Sequence, residues 1–498
     1  MLSMFDATRG RMGTGMAAKF AALLFVLAAG VVCLLALPSY TGNGYIYLLF
    51  SVLANTLLYF GFRKNAIFFD TFIGVFFWMG FWLKVTARIL YFDGKFSEAT
   101  GDFDYSGNSY DLALLVSSCG IFGLLLASML REKMGFTYLP KVNDNNERWV
   151  VDFYFRHRGK IFTAFLFIFA SVAVSNIIFG IYQKGSITQT VLPFGLNGVF
   201  KWLILFGLAS FSAVVLRLEL VAKRQISIMV IVLVLLESFS TNTSLLSRGM
   251  VLNMGAIAYG VYVACRLDLI RLPFKTVFVS GVVFCALFAG SVVVVNDLRG
   301  NGPGLFSPET NTKPLAEDVG VAIAHATPLF LNRWVGIEGV MAVSSSPHLG
   351  WALWRKAWQE RYSETTMGFY DANLIESPYK STDFSQHHHL SLPGILAFFF
   401  YPGSFVFLFF GMLFLGILAA AIEVGVFKFG GNNLILCALI SQVVAYRYVS
   451  FGYVPAQSYL LFGTIFLNIL MVYCAYWVSG FFLGTSKIPS ATHSRVED

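Results

Sequence analysis

The chain has 498 residues, of which 57% are hydrophobic, 17% aromatic and only 12% charged, roughly half the charged share of a soluble globular protein. A mean hydropathy of +0.69 and repeated apolar runs of about twenty residues, enough to cross roughly 30 Å of hydrocarbon as helices, exclude an ordinary water-soluble fold. The net charge of +8 does not point to nucleic acid, because the basic residues lie in short segments between apolar runs, where the positive-inside bias puts them.

In chain order the apolar runs fall near 20–37, 45–62, 66–90, 110–130, 161–181, 197–216, 226–243, 249–265, 276–295, 394–422, 433–448 and 457–478. They predict an all-α polytopic membrane protein of about twelve transmembrane helices with one large periplasmic loop. Residues 1–295 would hold spans one to nine, 296–392 the loop, 393–478 the last three spans and 479–498 a cytoplasmic tail. The first run, Phe20 to Leu37, follows Arg9, Arg11 and Lys19. It reads as a span rather than a removable signal, because further spans follow at once.

With the N-terminus inside, the cytoplasmic connections carry Arg63 and Lys64, the stretch from Arg131 to Lys160, Lys223 and Arg224, Arg266 to Lys275, and Lys428. Both termini are then cytoplasmic. The opposite side receives an acidic stretch with Asp93, Glu98, Asp102 and Asp104, and the long polar connection from Asn296 to about Leu392. Within that connection Trp351, Trp354, Trp358 and Tyr362 recur at helical spacing. Two readings of that segment stand: a helix lying at the membrane surface and an amphipathic helix packed under the loop. The six cysteines, Cys33, Cys119, Cys265, Cys285, Cys437 and Cys474, all fall in apolar runs and read as small hydrophobic packers, with no metal or disulfide spacing.

Charges at bilayer depth are costly and call for partners or a function. On this topology a group of cations collects on the outer side: Lys84 and Arg88 on one helix face, Lys201, Arg248, Arg299, Arg333 and Arg447. Each could snorkel or pair locally, Arg248 with Glu237 for example. Together they read as a site for a multiply anionic membrane-bound ligand such as a lipid diphosphate, which guanidinium groups bind in bidentate fashion. His387, His388 and His389 stand immediately before the tenth run. Three adjacent histidines cannot all face one metal from a helix, so a single histidine as general base, or as a hydrogen-bond donor to phosphate, fits better; a polar cap at a helix mouth is the plainer alternative. Glu338, Glu360, Glu364, Asp371 and Glu376 are the loop carboxylates, with Glu338 preferred for its proximity to Arg333. There is no GxxxxGK[ST], HExxH or GxSxG.

Ser247-Arg248-Gly249 at an outer helix start, the single long outer loop, and the loop exit running from His389 through Gly394 to Tyr401-Pro402-Gly403 resemble the bacterial oligosaccharide repeat-unit polymerases of the O-antigen type, relatives of the O-antigen ligases. The resemblance implies transfer of a glycan from its undecaprenyl diphosphate carrier to the next lipid-linked repeat unit, in capsule, exopolysaccharide or lipopolysaccharide synthesis, at the periplasmic face of the inner membrane, without metal or cofactor. It implies arginines on the diphosphate, with Arg248 the best match and Arg299, Arg333, Arg447, Lys84 and Arg88 as further candidates. It implies a catalytic loop histidine or carboxylate, here His389, His388 or Glu338. Membrane lipids, a chain-length regulator and a flippase are the partners implied, and no nucleic acid. Leu390 follows His389 and the glycines are spaced differently from the ligase pattern, which leaves polymerase and ligase as alternatives. Rival readings are a flippase for lipid-linked oligosaccharides, and a metal-dependent glycosyltransferase using Asp102 and Asp104.

Overall fold

The computed structural model describes residues 24–134, 138, 145–247, 249–270, 272–300, 334–377 and 390–484, with the backbone alone at 145–149, 296, 297, 299, 300 and 476–484. The described secondary structure is helical throughout. The first half contains α1 (Leu24–Ser39), α2 (Gly44–Phe62), α3 (Phe68–Tyr91), α4 (Gly107–Lys133), α5 (Asn145–Phe179) and α6 (Pro193–Lys223), followed by α7 (Ile228–Ser244), α8 (Met250–Leu267) and α9 (Phe274–Gly300). Four short helices come next: α10 (Ile337–Ser344), α11 (Trp351–Trp358), α12 (Phe369–Asn373) and α13 (Ile395–Phe400). Finally come α14 (Phe405–Phe429), α15 (Leu434–Val449) and α16 (Tyr459–Gly484).

Among the described residues nine helices are long and apolar enough to cross a membrane, and α1, α7 and α15 are shorter apolar helices. This is a multi-pass membrane architecture. Polar side chains set several helix starts: Asn43 accepts from Tyr45 N, Ser106 from Ser109 N, Ser404 from Phe407 N, and Asn433 from Ile435 N and Leu436 N, each satisfying a backbone donor that has no partner within its helix.

The centre of the bundle is α15, which packs against α3, α6, α8 and α14. Its residues from Ile435 to Ile440 are each 0% exposed. By contrast Val277, Phe278 and Val282 of α9 are more than half exposed, as a lipid-facing helix requires.

Three features depart from the plain reading of the apolar runs. The run at 394–422 is two helices, α13 and α14, broken at Tyr401-Pro402-Gly403, where Gly403 has φ +73° and takes the left-handed conformation without a Cβ penalty. The α3 span contains a π-helical turn at Trp78–Leu83. Part of the long polar connection is core: Val340, Met341, Ala342 and Val343 of α10 are 0% exposed, and α10 packs on α4 and α13. The aromatic helix α11 spans Trp351–Trp358, so Tyr362 lies beyond it. Trp354 packs on Phe398, Phe399 and Phe407 while Trp351 and Trp358 stay 52% and 38% exposed, which joins the packing role to an open aromatic edge.

The connections sort into two faces. Loops 180–192, 245–247, 334–377, 390–404 and 450–458 are hydrogen-bonded to one another, and loop 92–106 joins them through Lys84, which pairs with both Glu98 and Glu338: Lys184 N donates to Leu245 O at 3.0 Å, Thr188 N to Glu364 at 2.8 Å, Gly350 N to Tyr401 O at 2.8 Å and Gly394 N to Phe451 O at 2.9 Å. At the opposite ends Arg63 pairs with Glu132, Arg131 with Asp70, Arg158 with Glu219, and Arg217 with Asp268.

Candidate functional site

Two groups of charged side chains sit on the face where the long loops meet. The first surrounds Lys84, which is 0% exposed. Its Nζ lies 2.7 Å from Glu98 Oε1 and 3.1 Å from Glu338 Oε1, and donates to Trp334 O at 2.9 Å. Arg88 Nη2 is 3.3 Å from Glu98 Oε2 and 2.9 Å from Ser97 Oγ, with its guanidinium over the Phe92 and Phe96 rings. Two cations thus meet two carboxylates. Burial pushes the Glu338 carboxyl above its ordinary range, and Lys84 opposes that shift. Gly336 N also donates to Glu338 Oε1, at 3.2 Å, so the acid anchors its own loop as well as α3.

What lets the loop reach Lys84 is close backbone contact. A Cβ on Gly80, in the π-helical turn, would lie 2.5 Å from Val335 O, and one on Gly336 would collide with the Gly80 backbone. A π-bulge re-aims side chains and backbone carbonyls within a helix, often at functional sites. Here it opens the groove that residues 334–338 occupy.

The second group lies around Tyr182, Tyr362 and Tyr453. The Lys201 ammonium sits 4.7 Å from the Tyr182 ring centroid and 5.9 Å from that of Tyr362, and the Tyr362 and Tyr453 rings meet edge to face at 5.9 Å. The Tyr362 hydroxyl donates to Glu364, Thr188 N and Oγ1 donate to the same carboxylate at 2.8 and 3.0 Å, and the Tyr453 hydroxyl donates to Ser363 O at 3.2 Å. Burial works against ionisation of Glu364, but the hydrogen bonds from Tyr362 and Thr188 and the Lys201 charge outweigh it and hold the carboxyl below its usual range. Burial and the Glu364 hydrogen bond push the Tyr362 hydroxyl far up, so this ring is a neutral phenol. Glu360 behaves differently: burial raises it, against hydrogen bonds from Phe369 N and Val454 N.

Arg447 completes the second group. It projects from the last turn of the central helix α15, where thirteen of sixteen residues are buried, yet it is itself exposed. No carboxylate pairs with it among the described residues. It acts electrostatically on the Tyr182 hydroxyl, as does Glu364. Lys184, on the same loop as Tyr182, donates to Ser247 Oγ at 3.4 Å.

The structure therefore separates the cations read from sequence. Lys84 and Arg88 are joined through Glu98, and Lys84 also pairs with Glu338, in a charge-balanced anchor. Arg447 and Lys201 join a different, tyrosine-walled group. Arg248, Arg333, His387, His388 and His389, and the Arg299 side chain, lie outside the described residues. Glu376 is exposed, and Asp371 is buried, accepting from Ser377 Oγ and Ser391 N at 2.7 and 2.8 Å. Tyr182, Lys184 and Tyr453 are site residues that the sequence does not single out. Each stands near the end of an apolar run, where tyrosine and lysine are ordinary membrane-interface residues, and only tertiary packing brings them together. Compared with protein-family models, curated proteins and solved structures, the chain gives no match.

Proposed function

We propose that the chain is an integral membrane glycosyltransferase that polymerises undecaprenyl-diphosphate-linked oligosaccharide repeat units at the periplasmic face of the bacterial inner membrane. The observation that carries the reading is Arg447: an exposed guanidinium without a carboxylate partner among the described residues, in the last turn of the central helix and within electrostatic reach of Tyr182, the ring that Lys201 also faces. An exposed guanidinium carried by a buried helix suits a phosphorylated lipid group. Twelve crossings, counting α1, α7 and α15, alternate the loops as the two faces require. The face with Arg63, Lys64, Arg131, Lys133, Lys223, Arg224, Arg266, Lys275 and Lys428 is then cytoplasmic by the positive-inside rule, along with both termini.

In this reading the acceptor hydroxyl attacks the anomeric carbon of the donor glycan, the bond to the diphosphate oxygen breaks, and the hydroxyl proton passes to a base. Arg447, with Arg248, Arg299 and Arg333, neutralises the charge developing on the diphosphate. His389 or His388 takes the proton. Lys84, Arg88 and Glu338 seat the loop rather than enter the chemistry. The test is to supply purified protein with a lipid-diphosphate-linked repeat unit in the presence of a chelator and to resolve the products by size. A ladder of longer glycans is expected, reduced about 100-fold or more in Arg447→Ala and Arg248→Ala, the scale of losing one preorganised charge-stabilising group. Full-strength ladders from both variants would overturn the assignment.

One observation favours a second reading, transport of a lipid-linked oligosaccharide. Among the described residues Glu237 of α7, 1% exposed, meets only hydroxyls with its carboxylate, those of Ser212 and Thr241, each at 3.3 Å. An acid inside a span without a cation is a functional candidate by default. Vectorial movement of the lipid-linked unit in vesicles without new glycosidic bonds would favour that reading.

A further inference from the structure

Tyr362 is 42% exposed, although its hydroxyl is tied to Glu364, and the Tyr453 hydroxyl is tied to Ser363 O. A phenol fixed in this way offers a partner its ring face rather than its hydroxyl. That face is electron-rich and attracts the partly positive C–H groups of a pyranose. Lys201 stands beside these rings with an ammonium that has three donors, and no hydrogen bond or ion pair occupies them among the described residues. Glu364, the carboxylate of this group, accepts two hydrogen bonds from Thr188 and one from Tyr362 and forms no ion pair with Lys201 among the described residues. Ring faces steady the positive charge, and the ammonium, although it also favours ionised Glu364, keeps its donors for an incoming anion.

We propose that Tyr182, Tyr362, Tyr453 and Lys201 form a subsite for an acidic sugar of the repeat unit, with the sugar ring against Tyr362 and its carboxylate on the Lys201 ammonium. This rests on the polymerase reading and narrows its substrate to a glycan carrying a carboxylate. A single ammonium between aromatic walls matches one carboxylate. A diphosphate needs several donors.

The experiment uses the full chain in lipid nanodiscs, titrated with short oligouronates of several kinds, with their carboxyl-reduced counterparts and with inorganic diphosphate. At least one oligouronate is expected to bind about tenfold or more tightly than its reduced counterpart, the usual range for a charge-assisted hydrogen bond. Lys201→Met, which keeps the aliphatic stem, abolishes that preference, and Tyr362→Ala weakens acidic and reduced ligands alike. Elution profile and melting temperature establish that each variant is folded.

No preference for any acidic glycan, or a preference that survives in Lys201→Met, overturns the subsite. Displacement of the oligouronate by inorganic diphosphate in a Lys201-dependent manner also overturns it, because Lys201 then belongs to the phosphate. Binding needs no turnover, so the two readings fail separately. Oligouronate binding without laddering overturns the polymerase alone, whereas undiminished laddering of acidic repeat units by Lys201→Met overturns the subsite alone.

Discussion

Buried carboxylates in this protein fall into distinct local arrangements that decide what each can do. Glu423 is 1% exposed and accepts from Phe68 N, Phe69 N and Ser441 Oγ at 2.8–2.9 Å; it caps the first turn of α3, where a carboxylate meets free N–H groups and the positive end of the helix dipole. Glu98 and Glu338 instead share Lys84. Removing one partner of a buried ion pair leaves an uncompensated charge and costs about 3–5 kcal/mol, far more than the pair itself contributes. In Lys84→Met two neighbouring carboxylates would face each other, with Arg88 left paired to Glu98 alone among the described residues. We expect the variant to unfold in detergent at a markedly lower temperature, by that order of free energy. Adding Glu338→Gln removes one of the opposed charges and should restore a large part of the loss. If the double variant is no more stable than Lys84→Met, the knot is held by packing and not by its charges.

At the level of elements, the insertion of α10 beside α3 is a backbone device rather than a side-chain one. Gly80 and Gly336 face each other closely enough that neither tolerates a Cβ without backbone movement, and Gly339 lies against the Pro393 carbonyl in the same way. Overpacking of this kind costs about 1–3 kcal/mol. Gly80→Ala should therefore loosen residues 334–344 and increase their exposure to protease from the loop face, while the spans remain folded. Equal protection in Gly80→Ala and the wild type would show that the groove can widen at no cost. This element is where the sequence is least legible. The apolar stretch IEGVMAVS is too short to span, so it reads as part of a polar loop, and neither the π-helical turn nor the facing glycines leave a periodic signal in composition. The break inside the run at 394–422 was marked by Pro402-Gly403, but a single turn signal is easily absorbed into a long apolar run.

For the whole molecule, the apolar runs and the alternation of their flanking charges were legible, because the hydrocarbon layer imposes one length and one charge bias on every span. Helices answer all the runs, the run at 394–422 by two, and three of the helices are shorter than a usual span. The site was legible only as a sum of cations; its division into a neutral anchor at Lys84 and an open group at Arg447 depends on which loops meet, and that is long-range packing. The two-faced grouping of loops has a direct consequence for topology. If α1, α7 and α15 all cross, every loop that contacts the tyrosine group lies on one side of the membrane and every loop that carries the inner ion pairs lies on the other. Single cysteines at exposed positions in a background with the native cysteines replaced test this: Asp102→Cys and Glu376→Cys on the loop face, Asn65→Cys and Gln225→Cys on the opposite one. A membrane-impermeant maleimide applied to cells with a permeable outer membrane should label the first two and reach the second two only after the inner membrane is opened. The pair Asn65 and Gln225 is chosen because α3, α4, α5 and α6 lie between them and each crossing reverses the side, so one helix that fails to cross would place them apart. Labelling of Gln225→Cys in intact cells would break the alternation before α7, and with it the periplasmic placement of the Tyr182 loop beside Arg447.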